Sequence, residues 1–260
     1  LGFFVMIGAL MFLGCPIRMI LRLGGGDLNA LFGIAGFAGG IGFGTIFLKR
    51  GYSLQRTYAL SKLESAMMPA IQVGLLVLVV TAPAFIFFSQ KGPGAMHAPW
   101  LISLAAGLVV GGLSQFSRLC TVGGFRDLFL FKKSILIFGY LAVLVGVFVV
   151  NISFGNFHLG FENQPIAHTD GLWNFLGMAL AGFCSVLLGG CPLRQLIMTG
   201  EGNSDSAVTV LGLGAGAAFA HNFGLAASGA GPTLNGEIAV GVGFVVALII
   251  AVVNTKRANA

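Results

Sequence analysis

Long apolar runs separated by short polar intervals make up nearly the whole chain. Each run has a length that suits a membrane-crossing helix, for which about 20 residues suffice. Charged and turn-forming residues bound apolar segments at 1–23, 28–48, 66–88, 100–131, 135–154, 172–199, 206–227 and 237–254. In hydrocarbon the backbone must satisfy its own hydrogen bonds, so these segments predict an all-α, polytopic integral membrane protein. Three runs are interrupted. Gly14-Cys15-Pro16 breaks the first, the stretch from Cys120 to Gly124 breaks the fourth, and Gly189-Gly190-Cys191-Pro192 breaks the sixth. Gly and Pro stop a helix, and Pro also suits the first turn of a new one. Pro16 to Leu23 and Pro192 to Thr199 therefore read as half-helices, each with a cysteine at its N-terminus.

The first and sixth breaks are copies of one phrase. Gly14-Cys15-Pro16-Ile17-Arg18 returns as Gly190-Cys191-Pro192-Leu193-Arg194. One gap-free shift of 176 residues also carries Gly24 onto Gly200, Gly26 onto Gly202, Asp27 onto Asn203, Asn29 onto Asp205, Gly36 onto Gly212 and Gly40 onto Gly216. If every segment crosses once, the two phrases lie five crossings apart and run in opposite directions. That predicts an inverted repeat with units near 1–65 and 172–227, the central broken segment 100–131 between them, and one transmembrane transporter domain over 1–260. Such repeats place a solute site where their discontinuous helices meet. Asp27, and Ser204 or Asp205, are expected to cap the helices that follow.

Composition sharpens this picture. Residues of the hydrophobic class make up 57% and charged residues 8%, with mean hydropathy +0.95, far from the roughly 25% charge of soluble domains. The 41 glycines suit closely packed membrane helices. The formal charge of +6 is spread over short loops, which makes nucleic acid an unsuitable partner. Lys49, Arg50, Arg56, Lys62, Lys132, Lys133, Lys256 and Arg257 fall on one side of the alternation, and 155–171 has no Lys or Arg. The basic side, with the C-terminus, is expected to be cytoplasmic in an inner membrane. The sequence opens at Leu1 inside an apolar run without a charged leader region, so native N-terminal residues are expected to precede it.

The candidate chemistry gathers at the breaks. A cysteine at a helix N-terminus meets unpaired N–H groups and a positive dipole end, which favour anions and thiolate character. Cys15, Cys120 and Cys191 are thus candidate contacts for a soft solute; the plainer alternative is small apolar filler between close helices. Arg18, Arg118 and Arg194 lie beside the breaks, with Arg22 and Arg126 close by. Arginine at membrane depth draws anions or pairs with a carboxylate, and the alternative is snorkelling. An Arg126–Asp127 ion pair is expected. Gln195 and Thr199, one turn apart, could face one cavity. His221 and Asn222 suit an interhelical hydrogen bond or a ligand contact. The four cysteines form no CxxC pair, and His97, His158, His168 and His221 have no metal-ligand spacing, so neither cofactor nor metal is expected.

These residues carry a resemblance. Cys15 and Cys191 in their Gly-Cys breaks, with Arg118-x-Cys120 and Phe125-Arg126-Asp127 between them, resemble the YeeE/YedE family of sulfur-transport membrane proteins. The Gly-Cys-Pro-x-Arg form, with Gly200-Glu201-Gly202-Asn203 and His221-Asn222-Phe223-Gly224, is more similar to the YedE branch linked to selenium metabolism. The resemblance implies an hourglass-shaped transporter or channel. A sulfur or selenium species such as thiosulfate, selenite or selenide would pass along Cys15, Cys120 and Cys191 by S–H···S contacts, without a covalent intermediate. It implies no enzyme, and leaves room for a soluble sulfur- or selenium-carrier protein as partner. Alternatives are a membrane enzyme or anchor forming a cysteine persulfide or selenosulfide, and a simple anion channel that needs no thiols.

Overall fold

In the computed structural model, residues 1–54, 61–82, 85, 90, 95, 98–133 and 135–258 are described. Arg56, His97 and part of the segment expected at 66–88 lie outside the described residues, as do the side chains of Lys62, Glu64, Lys256 and Arg257. The chain is all-helical: α1 Gly2–Phe12, α2 Pro16–Gly24, α3 Asn29–Lys49, α4 Lys62–Thr81, α5 Trp100–Ser117, α6 Thr121–Phe131, α7 Ile135–Ser153, α8 Gly171–Leu188, α9 Pro192–Gly200, α10 Ser204–Asn222 and α11 Leu234–Ala258. Among the described residues, six helical runs are long and apolar enough to cross a membrane: α1–α2, α3, α5–α6, α7, α8–α9 and α11. Of the eight expected segments, the one at 66–88 is only partly described, with α4 apolar from Ala66 to Thr81, and α10 falls outside the six, its ends carrying Asp205, His221 and Asn222.

The three breaks share one construction. Each long helix ends on a left-handed residue: Leu13 (φ 62°), Arg118 (φ 52°) and Gly189 (φ 82°). The next N–H reaches back across the last turn, from Gly14 to Ala9 O (2.8 Å), Leu119 to Ser114 O (3.1 Å) and Gly190 to Ser185 O (3.1 Å). This is the six-to-one closure of a Schellman motif. A cysteine follows in extended conformation and its carbonyl opens the next helix: Met19 N–H to Cys15 O, Gly124 N–H to Cys120 O and Gln195 N–H to Cys191 O, at 2.9 to 3.0 Å. Pro16 and Pro192 occupy the first helical position, where their missing N–H costs nothing.

The repeat extends through the following turn. Gly26 and Gly202 both take positive φ, at 101° and 86°. Asp27 N–H bonds Arg22 O and Asn203 N–H bonds Met198 O, both at 3.0 Å and 176 residues apart. Asn203 is the N-cap of α10 and accepts from Ser206 N–H (2.9 Å), which moves the cap one residue ahead of the expected Ser204 or Asp205. Leu28 holds the N-cap of α3, while Asp27 Oδ1 accepts from Asn29 N–H (2.9 Å).

Helices α1 and α8 pack antiparallel at the centre. Gly8 lies on Gly177 and Ala181, Gly177 lies on Met11, and Leu1 lies in electrostatic reach of Cys184. Each unit lends its third helix to the other. Gly36 and Gly40 of α3 press on Phe175 O and Ala179 O of α8, and the matching Gly216 of α10 presses on Phe3 O of α1. Antiparallel, mutually exchanged halves are an inverted repeat. Around this centre α5 and α7 present mostly exposed apolar faces, among them Leu101, Leu108, Leu113, Phe138 and Val149, in keeping with a lipid surround. The segment between α7 and α8 folds over the turn before α3, with Leu28 N–H on Gly160 O (3.0 Å) and Gly160 N–H on Gly26 O (3.1 Å).

Candidate substrate pathway at three broken helices

The breaks bring the three N-capping cysteines to one region. Cys120 and Cys191 are buried and belong to one packed cluster with Tyr140, Met178 and Val186. Their sulfurs lie side by side, within range for one thiol to engage the other. Gly123 N–H donates to Cys120 Sγ (3.3 Å). The Cys191 sulfur lies against the Arg194 N–H of its own helix and against Thr121 at the start of α6. It is thus held between two helix N-termini, whose partial positive charges add where an anion would sit. Cys15 is partly exposed. It and Cys191 both lie within electrostatic range of the Tyr140 hydroxyl, which donates to Pro16 O (3.3 Å). Tyr140 therefore joins the first break to the other two. Cys184 is fully buried in a different cluster, with Val5, Leu180 and Leu187.

Clefts approach the two repeat breaks from opposite ends, because the breaks follow the C-termini of antiparallel α1 and α8. At the first break a cleft of about 410 Å³ and another of about 680 Å³ share Arg18, and the larger reaches Gly14, next to Cys15. At the second, clefts of about 330 Å³ and 480 Å³ share Gly189.

The remaining candidates fall into place around these features. Arg18 Nε donates to Leu13 O (2.9 Å) and so satisfies an orphan carbonyl at the end of α1. Arg118 is exposed and forms the left-handed cap of α5. Arg194 Nη1 donates to Gln115 Oε1 (3.0 Å) and Nη2 is 3.8 Å from Glu201, tying α9 to α5. Gln195 lines the 330 Å³ cleft and donates to Leu188 O (3.4 Å). Thr199 is buried with its hydroxyl on Gln195 O (2.8 Å), so the two do not share the cavity wall. His221 lines the 680 Å³ cleft, and Asn222 turns back on Ala218 O (2.8 Å). Arg126 and Asp127 form the expected pair (2.8 Å). Arg22 does not snorkel: it pairs with Asp27 (2.6 Å) in the interior.

Sequence reasoning missed Tyr140, Thr121 and the buried polar group around Arg22. It also passed over His168, which reaches from the segment before α8 to Met11 O (2.8 Å). Burial holds the His168 imidazole below its usual pKa, and the nearby Arg22 charge adds to this, against the bond to Met11 O and the charges of Asp170 and Asp27. Asn174 Nδ2 donates to His168 O (3.0 Å) and fixes the segment.

No curated protein and no solved structure matches the chain. Residues 116–257 match the family described as sulphur transport. The matched stretch includes Cys120, Tyr140 and Cys191, and it runs from the end of α5 into α11. It covers more than half of the sequence, and the chain belongs to the sulphur-transport family.

Proposed function

We propose that the chain passes a small, soft sulfur anion across the bilayer by handing it along Cys15, Cys120 and Cys191. The observation that carries this reading is the convergence of three thiols at helix N-termini, between clefts that open toward opposite ends. A solute such as thiosulfate offers a polarizable sulfur to the thiols and a negative charge to the N–H groups around them. Conduction needs several weak sites in series, so that binding helps entry without preventing exit. Among the described residues, the polar groups that engage these thiols include Thr121, Tyr140, backbone N–H groups and one another. That set suits transient contacts better than nucleophilic catalysis, which asks for a base beside one activated thiol. The ends of α3 (Lys49, Arg50) and α6 (Lys132, Lys133) are basic and would face the cytoplasm.

The test is uptake of labelled thiosulfate and, in parallel, labelled selenite into cells lacking other routes. The parent chain is compared with Cys15→Ser, Cys120→Ser and Cys191→Ser at equal membrane levels. Losing one contact worth roughly 1 kcal/mol lowers the rate about five-fold in each variant. Undiminished uptake in all three would defeat the thiol pathway, and the solute that accumulates names the chalcogen.

A further inference from the structure

We propose that the 410 Å³ cleft beside the first break is an oxyanion-capture site anchored by Arg22, which holds the oxygens of the sulfur anion before the thiols take its sulfur. The identity of the anion rests on the transport reading above; the existence of the site does not.

Arg22 is among the residues that line this cleft, although its side chain is only 6% exposed. Two of its three nitrogens are committed. Nε donates to Asp27 Oδ2 (2.6 Å), and Nη1 donates to Phe12 O (2.5 Å), the carbonyl that the broken end of α1 leaves without a helical partner. The Phe12 ring stacks 4.0 Å from the guanidinium carbon and fixes its plane. Nη2 has no partner among the described residues. A buried, unsatisfied cationic donor is costly, and an anion entering the cleft would supply the acceptor it lacks.

Asp27 also borders the cleft, but its oxygens are engaged. Oδ2 accepts from Arg22, while Oδ1 accepts from Asn29 N–H and Asn29 Nδ2, both at 2.9 Å. Arg18 contributes a second guanidinium, so the charges of Arg18, Arg22 and Asp27 sum to net positive. Arg18 also borders the larger cleft that reaches Gly14, so one side chain is shared by the cleft at Arg22 and the cleft next to Cys15.

The second repeat supplies an internal control. At the positions of Arg22 and Asp27 it has Met198 and Asn203, yet the backbone bond between them is the same 3.0 Å. The turn therefore closes without an ion pair, and the pair is not a requirement of the half-helix architecture.

The experiment measures equilibrium binding of labelled thiosulfate to the purified full chain in lipid nanodiscs, with sulfate as competitor. The double variant Arg22→Met/Asp27→Asn writes the residues of the second repeat into the first and leaves no lone buried charge behind. The parent is expected to bind thiosulfate competitively with sulfate, and the double variant at least about ten-fold more weakly. Cys184→Ala, in a separate buried cluster away from the breaks, should keep the sulfate-competable binding. Arg22→Lys retains the charge but lacks the planar fork, and is expected to weaken binding several-fold, which covers the case of a double variant that fails to fold. Absence of binding to the parent, failure of sulfate to compete, or unchanged affinity in either folded Arg22 variant overturns the site. Binding that depends on Arg22 without cysteine-dependent uptake would sink the transport reading and leave the site standing.

Discussion

Cys184 and Cys191 lie seven residues apart and have the same side chain, yet their surroundings assign them different work. Cys184 is enclosed by Val5, Leu180 and Leu187 within the α1–α8 contact, whereas Cys191 caps α9 beside Cys120 and Thr121. Cys184→Ala should keep uptake near the parent level and lower the melting temperature by a few degrees, the cost of a small cavity of about 1 kcal/mol. Equal loss of uptake at Cys184 and Cys191, with normal membrane levels, would refute the assignment. Tyr140 is the second residue to test. Tyr140→Phe removes the donor to Pro16 O and the hydroxyl near Cys15 and Cys191, while the ring keeps its edge-to-face contact with Phe125 (5.9 Å). Uptake is expected to fall several-fold with little change in thermal unfolding, since a neutral hydrogen bond contributes about 1 kcal/mol; a large melting shift with full uptake would make it a structural residue instead. The cysteines were legible because Gly and Pro mark the breaks next to them. Tyr140 was not, because a single tyrosine in an apolar helix has no local signature. The pairing of Arg22 with Asp27 depends on how the chain turns after α2, and a side chain's partner across a turn is not written in its spacing.

At the scale of elements, the first and third breaks announce themselves through Pro at the start of the new helix. The middle break has no proline, and it ends α5 on Arg118 in a left-handed conformation that carries some strain for a residue with a Cβ. Its position was still readable from Gly123-Gly124 and the polar run around Cys120. The cap of α10 was misplaced by one residue because Asn203, Ser204 and Asp205 can all cap, and only the backbone decides among them. The span expected at 206–227 failed for a related reason: apolar periodicity locates helices but does not separate a span from a polar-ended one. The glycine pattern was legible as close packing without its partners. Those partners give a contrast that can be measured. A Cβ at Gly40 would collide with the Ala179 carbonyl, and one at Gly216 with the Phe3 carbonyl, at equivalent sites of the two repeats. A Cβ at Gly146 in α7 meets nothing within 4 Å. Gly40→Ala and Gly216→Ala should each cost about 1–3 kcal/mol by forcing helices apart, whereas Gly146→Ala should be neutral or stabilising by up to about 1 kcal/mol. Thermal unfolding in one detergent checks the order, and a Gly146 variant as damaging as the Gly40 variant would contradict the packing scheme.

Across the whole molecule, His168 links the two halves: it sits before α8 of the second repeat and bonds the last turn of α1 in the first. A carbonyl can only accept, so the Nε2 on Met11 O carries the proton of the neutral ring, and Nδ1 is buried with no partner among the described residues. A second proton would have to enter at Nδ1, in an enclosed place that also faces Arg22, with Asp27 and Asp170 only partly offsetting it. The folded chain therefore resists protonation that the unfolded chain accepts near the ordinary value of 6.5. With the folded pKa lowered, the unfolded state binds more protons as the medium acidifies. Stability is then fully present above that ordinary value and is lost as pH falls below it, by at most about 1.4 kcal/mol per pH unit. Because His168 holds the α1 break against α8, the loss should appear as weakened contact between the repeats, near the cleft that Arg18 and Arg22 line. Thermal unfolding of the parent at about pH 7.5 and about pH 5.5, set against His168→Gln, measures it. The glutamine amide can still donate to Met11 O but does not titrate, so its melting temperature should change less across the interval. An equal drop in both chains would place the acid sensitivity elsewhere in the molecule.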